Sequence, residues 1–187
     1  ATGTPGLLDW FSILCGLHVA LALALHGALW VAHKTGGELS GRARAIARRL
    51  WIPLALSTIV VTFAAMQVQP LVAQAVQSRV WMWPLPALAL AGLGGVYFYL
   101  SRGRDGIAFL SSCAYLAGML ASAAFSLYPN VLPSSGDPAL SLTIQNTAAG
   151  AYGLRIGLYW WIPAMAITLG YVYFLYTRFA AKVPAEH

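Results

Sequence analysis

The chain has 187 residues, of which 59% are apolar and only 9% charged. Soluble globular domains usually carry about 25% charged residues, so this composition excludes a soluble fold and indicates an all-α polytopic membrane protein. The net charge of +6 does not indicate nucleic acid, because the cations lie in short segments beside apolar runs, where anionic lipid headgroups are the expected partner.

Apolar runs between helix breakers predict five membrane-spanning helices. The runs approach the roughly 20 residues that a helix needs to cross the hydrocarbon core. Residues 1–187 are expected to form a single membrane domain, with a polar loop over residues 129–156 before the last helix. In chain order, the predicted helices cover residues 7–33, 51–69, 81–100, 107–128 and 157–177.

The first predicted helix carries His18, His26 and His33. At 3.6 residues per turn, His18 and His26 lie about 80° apart and His26 and His33 about 20° apart, so the three share one stripe. His18 and His26 are therefore the candidates for binding a cofactor or relaying protons. Alternatively, they hydrogen-bond a neighbouring helix or subunit. Haem ligation is disfavoured, because the other four predicted helices contain no second histidine ligand.

Polar residues flank the first helix. Asp9 lies at the outer end of the helix and is expected to act as an N-terminal cap that complements the helix dipole. After the helix comes a basic segment in which Glu38 is expected to pair with an arginine and Ser40 to cap a short helix. The arginines expected to contact lipid headgroups are Arg42, Arg44, Arg48 and Arg49.

Small residues recur every four positions on three of the predicted helices. Such stripes let helix backbones approach closely in a membrane, so they predict a packed bundle. The stripes are Ala20, Ala24 and Ala28; Ala87, Ala91 and Gly95; and Ala114, Gly118 and Ser122.

The cations are distributed unequally between the two sides that five helices define. Only Arg79 and Arg155 lie on the side that holds the N-terminus and the polar loop. The positive-inside rule predicts that this side is outside and that the C-terminus is cytoplasmic. The other side holds Lys34, Arg42, Arg44, Arg48, Arg49, Arg102, Arg104, Arg178 and Lys182.

The sequence contains no nucleotide-binding loop, no paired Cys-x-x-Cys motif and no usable Ser/His/Asp set. No catalytic residue and no metal ligand are predicted. Four segments nevertheless form a pattern: Leu7-Leu-Asp-Trp-Phe-Ser-Ile-Leu-Cys-Gly16, Lys34-Thr-Gly-Gly-Glu-Leu39, Tyr128-Pro-Asn-Val-Leu-Pro-Ser-Ser135 and Ser141-Leu-Thr-Ile-Gln-Asn-Thr-Ala148. In this order, over nearly the whole chain, they resemble the C-terminal half of subunit II of the cytochrome bd-type quinol oxidases.

The resemblance implies a respiratory complex in a bacterial or archaeal cytoplasmic membrane that oxidises quinol and reduces dioxygen. It implies a haem-bearing partner, subunit I, which holds haem b and haem d, whereas this chain ligates none and supports assembly. It also implies a four-helix bundle plus one peripheral helix, and leaves room for a bound quinone or lipid and for small accessory subunits. The alternative is an independent b-type cytochrome or quinone-binding membrane anchor that uses His18 and His26.

The polar loop is the predicted contact with the partner. In the family that the chain resembles, the haems lie toward the outer side of the membrane, where this loop is expected. An ordered lid on the partner's outer face is therefore expected. The predicted contact residues are Pro133, Ser134, Ser135, Ser141, Thr143 and Asn146.

Overall fold

A computed structural model describes residues 9–134 and 137–179 of the chain. Among these residues, five helical segments are long and apolar enough to cross a membrane, which confirms the predicted all-α polytopic fold. The elements are α1 (Trp10–Lys34), α2 (Gly37–Val68), α3 (Pro70–Ser78), α4 (Pro84–Ser101), α5 (Asp105–Leu127), β1 (Asn130–Leu132), β2 (Leu142–Thr143) and α6 (Ala151–Arg178).

The core lies between α1, α2, α4 and α5. Leu25, Leu29 and Leu54 are almost completely buried there, together with Val96 and Tyr115. In contrast, α6 contains no buried residue and touches α1 through the rings of Tyr176 and Trp30, whose centroids are 5.7 Å apart. The described residues therefore form a four-helix bundle with one peripheral helix.

Two glycines determine how closely α4 and α5 approach. A Cβ atom on Gly92 would lie 2.5 Å from the backbone nitrogen of Tyr115, and one on Gly118 would lie 2.6 Å from that of Ala89. No side chain fits at either position without moving a backbone. Backbone contact of this kind provides the dispersion energy that holds helices together in lipid.

The predicted stripes of small residues are only partly right. Gly118 lies in the α4–α5 contact as expected. On the other two helices only the last residue of each stripe is packed: Gly95 lies against Ser111 of α5, and Ala28 packs against the core. Ala20, Ala24, Ala87 and Ala91 are exposed. The buried face of α1 instead carries His18, Ala22, Leu25, Leu29 and Ala32, and that of α4 carries Ala89, Gly92, Leu93, Val96 and Leu100.

The second helix begins fourteen residues earlier than predicted, at Gly37 instead of residue 51. Good helix formers such as Ala, Arg and Leu fill the basic segment, and the helix continues from it through Pro53 into the apolar run. The 32 residues of α2 measure about 48 Å, which exceeds a hydrocarbon core of about 30 Å and leaves the basic turns at the surface. Ser40 is thus not a cap: it is buried within α2, and its hydroxyl donates to the carbonyl oxygen of Ala32 at 2.9 Å.

The polar loop is shorter than predicted, because α6 begins at Ala151 rather than residue 157. Within the loop, β1 and β2 pair antiparallel, with Asn130 opposite Thr143 and Leu132 opposite Leu142. The bundle therefore has two distinguishable ends. We call the end with this pair of strands the hairpin end and the opposite one, with Lys34 and the α2 arginines, the basic end.

Candidate functional site

His18 lies at the centre of a hydrogen-bond network between α1, α2 and α5. The residue is 6% exposed. Its Nδ1 lies 2.9 Å from the hydroxyl oxygen of Ser57 on α2, and its Nε2 lies 3.2 Å from the hydroxyl oxygen of Tyr115 on α5. Both ring nitrogens are thus engaged within this chain.

The network continues from Tyr115 into the backbone of α2. The hydroxyls of Tyr115 and Thr58 are 2.8 Å apart, and both Thr58 and Ser57 donate to the carbonyl oxygen of Leu54, at 2.8 and 2.9 Å. Among the described residues, no buried side-chain nitrogen or oxygen lacks a hydrogen-bond partner. Each buried polar atom of the network thus has a partner within hydrogen-bond distance, and a network of this kind fixes the relative positions of three helices.

His26 and His33 also face α5. The Nδ1 of His26 lies 2.8 Å from the hydroxyl oxygen of Ser112, and its ring packs 4.7 Å from that of Phe109. The ring of His33 covers Gly106, where an added Cβ would lie 3.1 Å from the ring. The histidine stripe of α1 is therefore the face that packs against α5, and each ring meets a different turn of that helix.

The three histidines do not converge on one point. Within residues 9–134 and 137–179, no group of three or more His, Cys, Asp or Glu side chains is placed to hold a metal ion. In the same residues, each ring contacts α5 at hydroxyl groups or backbone rather than a second imidazole. The arrangement is suited to joining helices.

At the basic end, Arg44 makes an ion pair with Asp105, the first residue of α5. Its Nε lies 2.8 Å from Oδ1 and its Nη2 lies 2.5 Å from Oδ2. Asp105 is 5% exposed and the Arg44 side chain 35%. Arg44 therefore differs from the other arginines predicted to contact lipid headgroups, Arg42, Arg48 and Arg49, which are exposed. Of these, Arg42 pairs with Glu38, as predicted.

At the hairpin end, Asp9 caps α1 as predicted. Its carboxylate accepts a hydrogen bond from the backbone N–H of Ser12 at 2.7 Å. The pKa of Asp9 is lowered from its ordinary value, chiefly because this hydrogen bond stabilises the charged carboxylate.

The predicted contact residues lie in and beside the hairpin. Side chain to backbone hydrogen bonds order this segment: the Ser134 N–H donates to the Ser141 hydroxyl at 3.0 Å, and the Thr143 N–H to Asn146 Oδ1 at 2.7 Å. Pro133 follows β1 directly, whereas Ser135 lies outside the described residues. The same segment exposes Val131, Leu132, Leu140, Leu142 and Ile144.

The comparison with protein families gives a match that covers almost the whole chain. The sequence model of the family described as cytochrome bd terminal oxidase subunit II matches residues 2–179. The chain belongs to this family.

Two curated relatives match across much of this subunit II chain. A protein of Haemophilus influenzae described as a probable cytochrome oxidase subunit 2 is 27% identical over 205 residues, which cover 96% of this chain and 54% of that protein. The cytochrome bd ubiquinol oxidase subunit 2 of Bacillus subtilis is 28% identical over 149 residues, or 80% of this chain and 43% of that protein. The chain spans about half the length of these relatives.

Three of the four segments that carried the resemblance to subunit II lie at the two ends of the bundle. Residues 34–39 form the tight turn from α1 into α2 at the basic end, and residues 128–134 and 141–148 form the hairpin. Neither group lies in the hydrogen-bond network at the centre.

Sequence reasoning missed several partners of the predicted residues. Ser57, Thr58 and Tyr115 are ordinary polar residues within apolar runs, and Asp105 begins a helix, where an acidic residue is common. One available signal was that polar side chains inside a membrane span need a partner on another helix. The partner of each polar side chain depends on how the helices are rotated about their axes, and the sequence pattern does not predict this rotation.

Proposed function

We propose that this chain is a structural and assembly part of a bd-type quinol oxidase that ligates no haem itself. The observation that carries the proposal is that both ring nitrogens of His18 are engaged by Ser57 and Tyr115. An axial haem ligand needs one ring nitrogen for the iron. His18 has none to offer while these bonds persist.

In this proposal the haems b and d belong to a partner, subunit I, which also carries out quinol oxidation and dioxygen reduction. The chain contributes a rigid bundle against which the partner packs. The family match and the description of the Bacillus subtilis relative as a ubiquinol oxidase subunit support this assignment. The independent b-type cytochrome or quinone-binding anchor has no comparable support. His18 is engaged at both ring nitrogens. His26 is bonded only at Nδ1, but no histidine faces it from another helix among the described residues.

The proposed orientation has the basic end in the cytoplasm and the hairpin end outside. Support comes from the positive-inside rule and from the exposed Arg42, Arg48 and Arg49 at the basic end, which are placed to meet anionic headgroups. Exposed aromatic rings near both ends of α6, Tyr152 at the start and Tyr173 and Tyr176 at the end, suit the two lipid interfaces.

The hairpin is the proposed contact with subunit I. Its hydrogen bonds order the backbone while its apolar side chains remain exposed. An ordered apolar surface outside the hydrocarbon core is costly in water, so a partner surface is its expected environment. The contact residues proposed are Pro133, Ser134, Ser135, Ser141, Thr143 and Asn146.

The test is to purify the full protein that contains this chain, tagged, in mild detergent. We expect one haem-bearing subunit to copurify in stoichiometric amount, with a visible spectrum of b- and d-type haems. Replacement of Leu132 and Leu142 by Asn should weaken that association, whereas replacement of the exposed Leu120 on α5 by Asn serves as the control. Isolation of the protein alone and colourless from membranes that contain the oxidase would overturn the assignment.

A further inference from the structure

A cavity of about 330 Å³ lies at the hairpin end, between α2, α3, α4 and α5. One water takes about 30 Å³ in the liquid, and ligand pockets usually span about 300–1,000 Å³, so the space is large enough for a ligand. Its wall is almost entirely carbon and sulfur. Prominent lining residues are Met66, Val72, Val76, Met82, Leu90 and Met119.

The hydroxyl groups in this wall are already used by the helices that carry them. Thr58 donates to Leu54, Thr62 to Thr58, Ser122 to Gly118 and Ser126 to Ser122, each to a backbone carbonyl oxygen at 2.6–2.8 Å. A ligand headgroup that accepts hydrogen bonds therefore finds no spare hydroxyl donor inside. The cavity is open on one side, where Leu90 and Trp83 are exposed, and its apolar wall favours an apolar occupant.

The three methionines suit a flexible apolar ligand. Their unbranched side chains rotate easily and adapt to the shape of what they contact. A hydrocarbon chain has the same adaptability and needs only dispersion contacts. In a bilayer, acyl chains are the most abundant source of such a group.

A cation lies beside one end of the cavity. Arg79 follows Val76 by three residues and precedes Met82 by three, and it donates to the carbonyl oxygens of Phe125 and Tyr128 at 2.9 and 2.8 Å. Phe125 adjoins Ser126, which lines the cavity. A guanidinium has five N–H groups, so three remain for a phosphate, a group that arginine binds well.

We propose that this cavity holds one acyl chain of a membrane phospholipid, whose phosphate is bound by Arg79. The polar parts of the lipid then lie at the hairpin end, beside Arg79 and the half-exposed Trp83. The chain runs inward along the methionines. The lipid acts as a wedge that fills the gap between α3 and the bundle, and the proposal does not depend on a haem-bearing partner.

The test measures lipid retention. The full protein is reconstituted in vesicles of equal amounts of phosphatidylglycerol and phosphatidylcholine, extracted in mild detergent, and analysed by native mass spectrometry. We expect one retained phospholipid. Ala123→Phe places a ring in the cavity from an exposed position, and it should lower retention at least roughly tenfold. Ala124→Phe, the matched control one residue along and outside the lining, should retain the lipid.

A second cavity-filling variant guards against the possibility that Ala123→Phe fails to fold. A third variant tests whether Arg79 binds the lipid headgroup. Leu90→Trp fills the cavity from the opposite wall at a position that is 62% exposed, and it should also release the lipid. Arg79→Gln should weaken retention roughly tenfold, as expected for a lost charge-assisted hydrogen bond. Retention by both filling variants, or a quinone in place of a phospholipid in the wild-type mass, would overturn the proposal. Unchanged lipid retention by Arg79→Gln would show that Arg79 does not bind the phosphate, and would overturn that part of the proposal.

Discussion

Single hydrogen bonds hold the central residues of the bundle in place, and Tyr115 is the best place to test this. Tyr115→Phe keeps the ring but leaves Nε2 of His18 without its partner. A buried polar group left unpaired costs about 1–3 kcal/mol, so we expect the thermal unfolding midpoint to fall. The measurement is a melting curve in detergent.

The matched control is Tyr97→Phe on α4, which removes a hydroxyl from a ring that is 61% exposed. It should leave the midpoint unchanged. Equal midpoints for the two variants would show that the buried network does not contribute to stability.

Asp9 gives a prediction about pH. Because its pKa is lowered in the folded protein by the bond from Ser12, the cap stabilises α1 above the unfolded pKa of about 3.9 and loses this effect as the pH falls through the folded value. The protection of the amides of Phe11 to Ile13 against hydrogen exchange, relative to the unfolded rate at each pH, should therefore fall more steeply on acidification in the wild type than in Asp9→Asn. Parallel pH profiles for the two proteins would contradict the capping role.

At the scale of helices, α4 and α5 are held by backbone contact at glycine. Gly92→Ala should destabilise the protein by about 1–3 kcal/mol, because the added Cβ meets the backbone nitrogen of Tyr115. Gly94→Ala is the control, since nothing lies within 4 Å of its Cβ position, and it should be neutral or stabilising by up to about 1 kcal/mol. Equal destabilisation by the two variants would mean that the helices do not meet at Gly92.

At the basic end, an ion pair joins α2 to the start of α5. Asp105→Asn removes the buried partner of Arg44 and should cost roughly 2 kcal/mol, below the 3–5 kcal/mol of a fully buried pair because Arg44 is partly exposed. Glu38→Gln removes the exposed pair with Arg42 and should cost no more than about 0.5 kcal/mol. Chemical denaturation of both variants compares the two, and a larger effect from Glu38→Gln would refute the assignment.

The number of membrane-spanning helices could be predicted from the sequence, whereas the contacts between the helices could be predicted only in part. Continuous apolar runs identify spans because lipid leaves few alternatives. The stripe through His18 and His26 identified the face of α1 that meets α5. The alanines in the stripes of α1 and α4 gave mostly wrong predictions of helix contacts, because alanine is compatible with both lipid and protein neighbours. Ser40 misled because a capping residue is also accommodated inside a helix when its hydroxyl has a carbonyl oxygen to bond.

For the whole molecule, four helices pack around a common core, whereas α6 has no buried residue and leaves its surface exposed. Only part of the candidate site could be predicted from the sequence. His18 and His26 were recognised from their type and position, but their hydroxyl partners on α2 and α5 depend on helix rotation. The cavity at the hairpin end had no sequence signal, because methionine and valine in a membrane helix look like ordinary core residues.

The most direct test of the central claim, that this chain ligates no haem, is the haem content of the assembled oxidase with His18→Gln and His26→Gln introduced together. Glutamine retains a hydrogen-bonding side chain but does not replace histidine as a haem ligand. We expect the reduced-minus-oxidised visible spectrum and the amount of haem per complex to match those of the wild type. Loss of a b-type haem from the complex carrying both substitutions, while it remains assembled, would contradict the account.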